Sequence, residues 1–308
     1  MLGGGYPMQE IKMILTNKQK LPTAIERAVI NDPYDAQGSD ISATRLLKPP
    51  RIRVLEQRFW EVLEEDVSDR IWSLLGQSVH HVIERAAEGT EDITERRVFV
   101  NNDMTNGWTL SGTFDYLSKD GSLIDFKTTS AWSAMDALTK GKSEWEAQLN
   151  ILDWLIRNTK DKVPIKVKSL SIMAILRDWS KLKAMTSENY PKQQSVMIPI
   201  KKWTAKEQDI YVAERIALHQ QAEKIEEPTV CSPQERWRKE DQYAIMKNGR
   251  KSALRLLPTL ADAKKYLEDN NMKEGKGCLI VLRKGEDTRC AHYCNVNKFC
   301  SYWNNVVF

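Results

Sequence analysis

The chain has 308 residues, of which 41% are hydrophobic and 29% charged, the composition of an ordinary globular protein able to bury one large core or two modest ones. No run of about eighteen apolar residues exists to span a bilayer, and the opening MLGGGYPMQE lacks the charged-then-apolar pattern of a signal peptide, so the cytoplasm is the expected compartment. A net charge of +4 is compatible with a polyanionic partner but too small to identify one.

The first forty residues mix Gly, Pro, Asn and Asp with one short helical stretch, TAIERAVI. Ser42 or Thr44 is placed to cap a following helix that Pro49-Pro50 interrupts. Residues 1–67 therefore read as a partly helical N-terminal cover. From Ser68 to Ala87, Ile71, Leu74, Leu75, Val79, Val82 and Ile83 recur at spacings of three and four, which predicts an amphipathic helix.

The rhythm then changes. RRVFV (96–100), WTLSGTFDYL (108–117) and SLIDFKTT (122–129) read as successive strands, and Asp120-Gly121 signals a hairpin between the last two. SEWEAQLNILDWLIRN (143–158) returns to helical spacing, 168–179 and 194–200 read as two more strands, and 203–224 as a long helix. This order predicts an α/β fold, a mixed β-sheet flanked by helices, over residues 68–227. Beyond Glu227-Pro228 the texture becomes polar and cysteine-bearing, so 228–308 is expected to form a separate segment stapled through its cysteines.

Asp115 and Asp125 lie on the two arms of the predicted hairpin, and Lys127 follows Asp125 by two residues, on the same strand face. The turn decides whether the aspartates converge. A two-residue loop would place them on opposite faces, because a one-residue slip inverts every side chain. A three-residue loop, Lys119-Asp120-Gly121 with Gly121 in the left-handed region, pairs Asp115 with Asp125, and it is the loop expected. Two carboxylates so close repel unless a cation neutralises them, and oxygen ligands suit Mg²⁺ or Mn²⁺. A lysine beside them supplies positive charge where a phosphoryl transition state gains negative charge.

The sequence around these residues resembles the RecB-like nucleases of the PD-(D/E)XK superfamily. G-T-F-D (112–115), I-D-F-K-T (124–128) and Q-L-N (148–150) fall in the order of that group's motifs. Gly76, His80 and Glu84 match its upstream G-x-x-x-H-x-x-x-E. The resemblance implies a restriction-endonuclease-like fold and a Mg²⁺- or Mn²⁺-dependent deoxyribonuclease, an exonuclease or end-processing enzyme of recombination, repair or phage replication. It implies His80, Asp115, Asp125 and the backbone carbonyl of Phe126 as metal ligands. Lys127 would be the catalytic lysine, and Gln148 would orient that lysine or the substrate. Glu84 has two readings, a metal or His80 partner and a structural ion pair. The group's tyrosine after the glutamine is Leu152 here.

Cys231, Cys278, Cys290, Cys294 and Cys300 form an odd, clustered set that fits a metal site better than disulfides. The triplet Cys290, Cys294 and Cys300 resembles that of CRISPR adaptation nucleases and AddB-type helicase-nucleases, which implies a [4Fe–4S] cluster, with zinc the alternative. Those relatives take their fourth cysteine from upstream of the nuclease motifs, where this chain has none. Cys231 is the expected fourth ligand and His292 its rival, while Cys278, inside GCLIVL, reads as a buried strand residue.

The expected partners are DNA ends or single-stranded regions and a recombination or single-strand-binding protein, with no membrane. Lys48, Arg51 and Arg53, with Lys201, Lys202, Lys247, Arg250, Lys251 and Arg255, are candidates for a phosphate-tracking groove or for ordinary solvated charge. Among ten tryptophans, Trp132 and Trp145 stand nearest the active strand and are candidates for stacking on unpaired bases. Two other functions remain open: a non-catalytic nucleic-acid-binding or assembly module on the same fold, and a restriction-type endonuclease.

Overall fold

The computed structural model describes residues 14–31 and 38–307; residues 1–13 and 32–37 of the expected N-terminal cover lie outside it. The chain forms two units, one of Met1–Arg53 and Trp60–Glu227, the other of Val54–Phe59 and Pro228–Phe308.

In the first unit β1 (Ile14–Thr16), α1 (Thr23–Ile30), β2 (Ile41–Ser42), α2 (Ala43–Leu47) and the start of α3 (Pro50–Arg58) precede β3 (Glu64–Asp66), which pairs in parallel with β1. Ser42 accepts a hydrogen bond from the Arg45 N–H and caps α2, and Pro50 opens α3 at the position where proline's missing N–H costs nothing. Helix α4 (Ile71–Ala87) leads into β4 (Ile93–Val100), β5 (Leu110–Leu117) and β6 (Ser122–Thr129). Then follow α5 (Ala131–Lys140), α6 (Ser143–Asn158), β7 (Ser169–Leu176), α7 (Lys181–Thr186), β8 (Ser195–Ile200) and α8 (Ala205–Lys224).

The central sheet runs β2-β5-β6-β7-β8, with β4 also on β5. It is mixed: β6 and β7 run parallel, whereas β4–β5, β5–β6 and β7–β8 are antiparallel. The expected α/β class, a mixed sheet flanked by helices, is the fold the chain adopts. Helix α6 is its keel, with Leu149, Ile151, Leu152, Trp154 and Leu155 at 2% exposure or less. Its polar Asn150 and Asp153 are buried yet partnered. Asn150 bonds the Glu146 and Lys201 carbonyls and the Trp203 N–H; Asp153 accepts from Gln208 and Lys202.

Sequence reasoning missed α5 because its inward positions are Ala131, Ala134 and Ala137, too small to mark an apolar stripe. Their size lets the helix lie close to the sheet. The G-T-F-D motif gains a packing reason here. A Cβ on Gly112 would stand 2.7 Å from Leu152 Cδ2 and Leu155 Cδ1, so β5 and α6 meet over a bare backbone. Leu152, at the tyrosine position of the resemblance, is this buried partner and carries no hydroxyl.

Arg51 and Arg53 correct an expectation. Neither is available to phosphate, being 3% and 2% exposed. Arg51 is paired with Glu227. Arg53 is held by Glu223 at 2.8 Å and by His219 Nδ1 at 2.8 Å, and lies over the Trp108 ring. Burial, then the neighbouring arginines Arg53 and Arg215, push the His219 pKa down to about 3, so a neutral ring accepts from Arg53.

The second unit contains β9 (Arg238–Lys239), β10 (Gln242–Lys247), β11 (Arg255–Leu257), α9 (Leu260–Asp269), β12 (Cys278–Arg283), β13 (Glu286–Asp287), α10 (Thr288–His292) and α11 (Ser301–Val307). A three-stranded antiparallel sheet, β11-β10-β12, packs with α9 around Ile245, Ala263, Leu267 and Cys278. Cys278 is thus a buried strand residue beside Met272. The last turns of α3 are anchored in this unit, Phe59 stacking on Phe299 at 4.3 Å and Asn295 donating to Glu56. Lys247, Arg250, Lys251 and Arg255 are all exposed here. Among the described residues no helix is long and apolar enough to cross a membrane.

Gly112→Ala should lower stability by about 1–3 kcal/mol through overpacking against α6, read as a reduced urea midpoint. Gly76→Ala, where an added Cβ would meet only Thr128 Oγ1 at 3.7 Å inside α4, should instead raise stability and with it the midpoint, by up to about 1 kcal/mol.

Candidate active site

The hairpin between β5 and β6 sets the geometry. Leu117 pairs with Leu123 and Tyr116 with Ile124, leaving Lys119, Asp120 and Gly121 as the three-residue loop. Gly121 has φ +97°, and a Cβ there would meet the Lys166 carbonyl at 2.5 Å. The same register sets Asp115 opposite Asp125.

Past Tyr116 and Ile124 the two strands part. On this edge the N-terminal half of β5 pairs instead with β2, Ile41 with Leu110. In a continued ladder the Phe126 N–H would reach the Phe114 carbonyl; here it donates to Asp115 Oδ2 at 2.8 Å. A side chain thus replaces a ladder bond at the fork. The Phe126 carbonyl, on the same edge of its strand as its N–H, faces the same gap.

Two groups of side chains meet around this fork. On one side Asp125, 2% exposed, accepts from Gln148 Nε2 at 2.8 Å and from Lys127 Nζ at 3.0 Å on Oδ1. Its buried Oδ2 lies 2.8 Å from Nζ, out of line for a hydrogen bond, and has no hydrogen-bond partner. On the other side His80 Nδ1, from α4, stands 2.9 Å from Glu95 Oε1 and 3.6 Å from Asp115 Oδ1. One ligand atom each of His80, Glu95 and Asp115 lies within 4.8 Å of the other two. Helix α4 approaches closely through Gly76 and sets its His80 ring edge-on to Phe126.

Burial and neighbouring charge make the ionised form of Asp115 costly. Burial first, and the charge of Asp125 second, raise the Asp115 pKa to about 7, against His80, the Phe126 N–H and Lys127. The His80 pKa is also raised, chiefly by its hydrogen bond to Glu95 and by the charges of Asp115, Glu95 and Asp125, against burial. Imidazole and carboxylate oxygens converging on one point, beside an orphaned carboxylate oxygen, are a donor set that fits a divalent cation such as Mn²⁺ or Mg²⁺.

His80 and Asp115 converge; Asp125, Lys127 and Gln148 form the adjacent hydrogen-bonded group. Asp125 turns its carboxylate to Lys127 and Gln148 and is not one of the three that converge with His80. Glu95 was missed. It sits across β4–β5 from Asp115 at a point where the pairing breaks, between Thr94–Tyr116 and Arg96–Phe114. Its φ is +45°, a left-handed conformation that costs a non-glycine residue about 1–2 kcal/mol. No sequence signal marked it, since the expected strand began at Arg96 and a glutamate at its edge reads as solvated. Glu84 stays at the surface, 3.7 Å from the exposed His81. Trp145 is buried at 6%, which removes it as a base-stacking platform, whereas Trp132 is 71% exposed.

In the second unit Cys231, Cys290, Cys294 and Cys300 come together. Burial first, then Glu235 and the other three sulfurs, push the Cys231 pKa up to about 12; burial and Cys294 lead in raising Cys290 to about 11. None of the four is in a disulfide. His292 is not among them, since its Nε2 is bonded to Glu286 at 2.9 Å and its side chain is 58% exposed. Arg236 is bound to the Cys231 carbonyl and to Asp287.

No family model matches the sequence, and no curated protein does. Among solved structures, that of SSO0001 is similar over 65% of this chain and 87% of its own, with 16% identity and a TM-score of 0.42. The alkaline exonuclease LHK-Exo of Laribacter hongkongensis is similar over 59% of this chain and 89% of its own, at 13% identity and a TM-score of 0.38. Its complex with dAMP gives 14% and 0.38 over 60% and 89%.

Without divalent cations, Asp115 should make stability fall as pH rises. Its folded pKa of about 7 exceeds its ordinary value, so its contribution is complete below about pH 4 and lost as pH climbs through about 7. His80, also raised, acts in the same direction. Urea midpoints in EDTA should therefore fall less for Asp115→Asn than for the unmodified chain between those pH values. Equal slopes would show that Asp115 is not so perturbed.

Proposed function

We propose that the protein is a metal-dependent deoxyribonuclease of the RecB-like PD-(D/E)XK kind, acting on DNA ends. The observation that carries this reading is the convergence of His80, Glu95 and Asp115 beside the Asp125–Lys127–Gln148 group at one fork in the sheet. His80, Glu95 and Asp115 would hold a Mg²⁺ or Mn²⁺ ion, with the carbonyl of Phe126 and the free oxygen of Asp125 facing it. When bound, that ion polarises a phosphoryl oxygen and lowers the pKa of water.

The chain's own residues do the rest. Gln148 fixes the Asp125 carboxylate, which in turn holds Lys127 Nζ at the fork. Lys127 places a fixed positive charge where the phosphoryl group gains negative charge, and because its position is set beforehand, little reorganisation accompanies the reaction. To serve as a ligand Asp115 would have to be ionised, so cation affinity would rise with pH up to about 7.

Cys231, Cys290, Cys294 and Cys300 are proposed to hold a [4Fe–4S] cluster. The engagement of His292 with Glu286 favours an all-thiolate set, and thiolate ligation would staple the C-terminal unit. A DNA substrate and a single-strand-binding or recombination partner remain part of this reading.

End-labelled linear DNA should be degraded with Mg²⁺ or Mn²⁺ and spared in EDTA. Lys127→Ala should lower kcat by about 10²–10³-fold with a much smaller change in binding. Closed circular DNA should resist; equal cutting of both forms points to a restriction-type endonuclease, and no metal-dependent cleavage removes the enzyme reading. Protein purified without oxygen should be brown and contain iron, and Cys231→Ala should lose both, whereas colourless protein with stoichiometric zinc replaces the cluster.

A further inference from the structure

The three-stranded sheet of the second unit has two unlike faces. Tyr243, Ile245, Leu257 and Ile280 turn toward α9 and pack on the small core. On the opposite face Leu256, Ala244 and Val281 form a row across the strands, with the Met246–Leu279 pair beside it. Ala244 is buried, but Leu256, Val281 and Leu279 are 43%, 37% and 53% exposed. Arg283 lies along this face, its guanidinium 3.8 Å from Met246 Sδ.

Strand β12 is also an open edge, paired with no strand but β10. At its start the Cys278 carbonyl accepts from the Gly275 N–H at 2.9 Å, and the Ile280 N–H reaches Glu274 Oε1 only at 3.4 Å. The N–H and C=O of one residue in an antiparallel strand point to the same side, so the Ile280 carbonyl and both backbone groups of Leu282 face outward too. None of these three has a partner among the described residues. An apolar edge left open in this way is a template for another strand.

Charge says what kind of strand it suits. Residues 242–285 hold ten lysines and arginines against four acidic residues, a net +6, whereas the whole chain carries only +4. All ten are exposed, and none forms a salt bridge among the described residues. Unpaired cations around an apolar strip attract an acidic partner and repel a second copy of the same surface. The aromatic rings of this stretch, Tyr243 and Tyr266, pack on the core, so none is offered for stacking on bases.

We propose that β12 accepts an extended acidic segment of a partner protein as a fourth strand. The segment's apolar side chains lie on Leu279 and Val281, its backbone bonds Ile280 and Leu282, and its carboxylates face Lys247, Lys276, Arg283 and Lys284. This gives the protein partner of the proposed function a surface, yet it depends on neither the metal nor cleavage.

The test uses the full-length protein and a series of fluorescent ten-residue peptides alternating Asp or Glu with Val, Ile or Leu. Controls are scrambled peptides, copies N-methylated at alternate residues, which cannot complete a ladder, and a single-stranded oligonucleotide of the same charge. Anisotropy should show binding of the alternating peptides that weakens with salt, with the scrambled and N-methylated forms at least about tenfold weaker. Arg283→Glu with Lys284→Glu should weaken it about tenfold, as should Leu279→Thr with Val281→Thr, at an unchanged urea midpoint. Glu274→Ala, which frees the Ile280 N–H, should tighten it.

The proposal is overturned if no peptide of the series binds better than its scrambled form, or if N-methylation and the Arg283–Lys284 reversal leave affinity unchanged. It is also overturned if the reversal weakens the oligonucleotide and not the peptides, which makes the surface a nucleic-acid contact. Peptide binding in a protein that never cleaves DNA removes the nuclease reading and leaves this one standing; cleavage without peptide binding does the reverse.

Discussion

The parting of β5 from β6 after Tyr116 and Ile124 is the constraint from which the site follows. Were the ladder to continue, the Phe126 N–H and C=O would be spent on Phe114, and no space would open beside Asp115 and Asp125. The fork is held from both ends. Gly121 closes the hairpin in a conformation and a space that only glycine fits, and β2 occupies the vacated edge at Leu110. Asp115 then satisfies the freed N–H of Phe126 with its own carboxylate, so the opening creates no unsatisfied backbone donor there.

Electrostatic tension concentrates at the same place. Asp115 and Asp125 are both buried, and the protein compensates them unequally. Asp125 has Lys127 and Gln148; Asp115 has one backbone N–H and a histidine that is itself shared with Glu95. Glu95 reaches that position only by adopting a left-handed backbone in the middle of a strand. The backbone strain of Glu95 thus falls where its carboxylate, the His80 ring and the Asp115 carboxylate converge.

The two units rely on different means of stabilisation. The first has α6 as a largely apolar keel whose buried Asn150 and Asp153 find partners, while the Arg53–His219–Glu223 network ties the start of α3 to α8. The second has a small core around Ile245 and Leu267 beside four buried or half-buried thiols.

The sequence by itself determined the mixed α/β class, the odd-length hairpin loop and the convergence of Asp115 toward Asp125. Alternation with period two and a glycine able to take positive φ are local properties, and register follows from them arithmetically. It also marked Cys278 as a strand residue and Cys290, Cys294 and Cys300 as neighbours along the chain, while leaving Cys231 and His292 open as their fourth companion. Tertiary structure alone decided Glu95, because nothing in ITERRVFV separates a solvated glutamate from one turned toward His80 until β4 is registered on β5. It alone decided that Arg51, Arg53 and Trp145 are buried, since long basic stems and tryptophan serve core and surface equally well. Helix α5 was illegible for the opposite reason: its buried face is alanine, whose contribution depends on how closely the sheet approaches, a distance that only the assembled fold fixes.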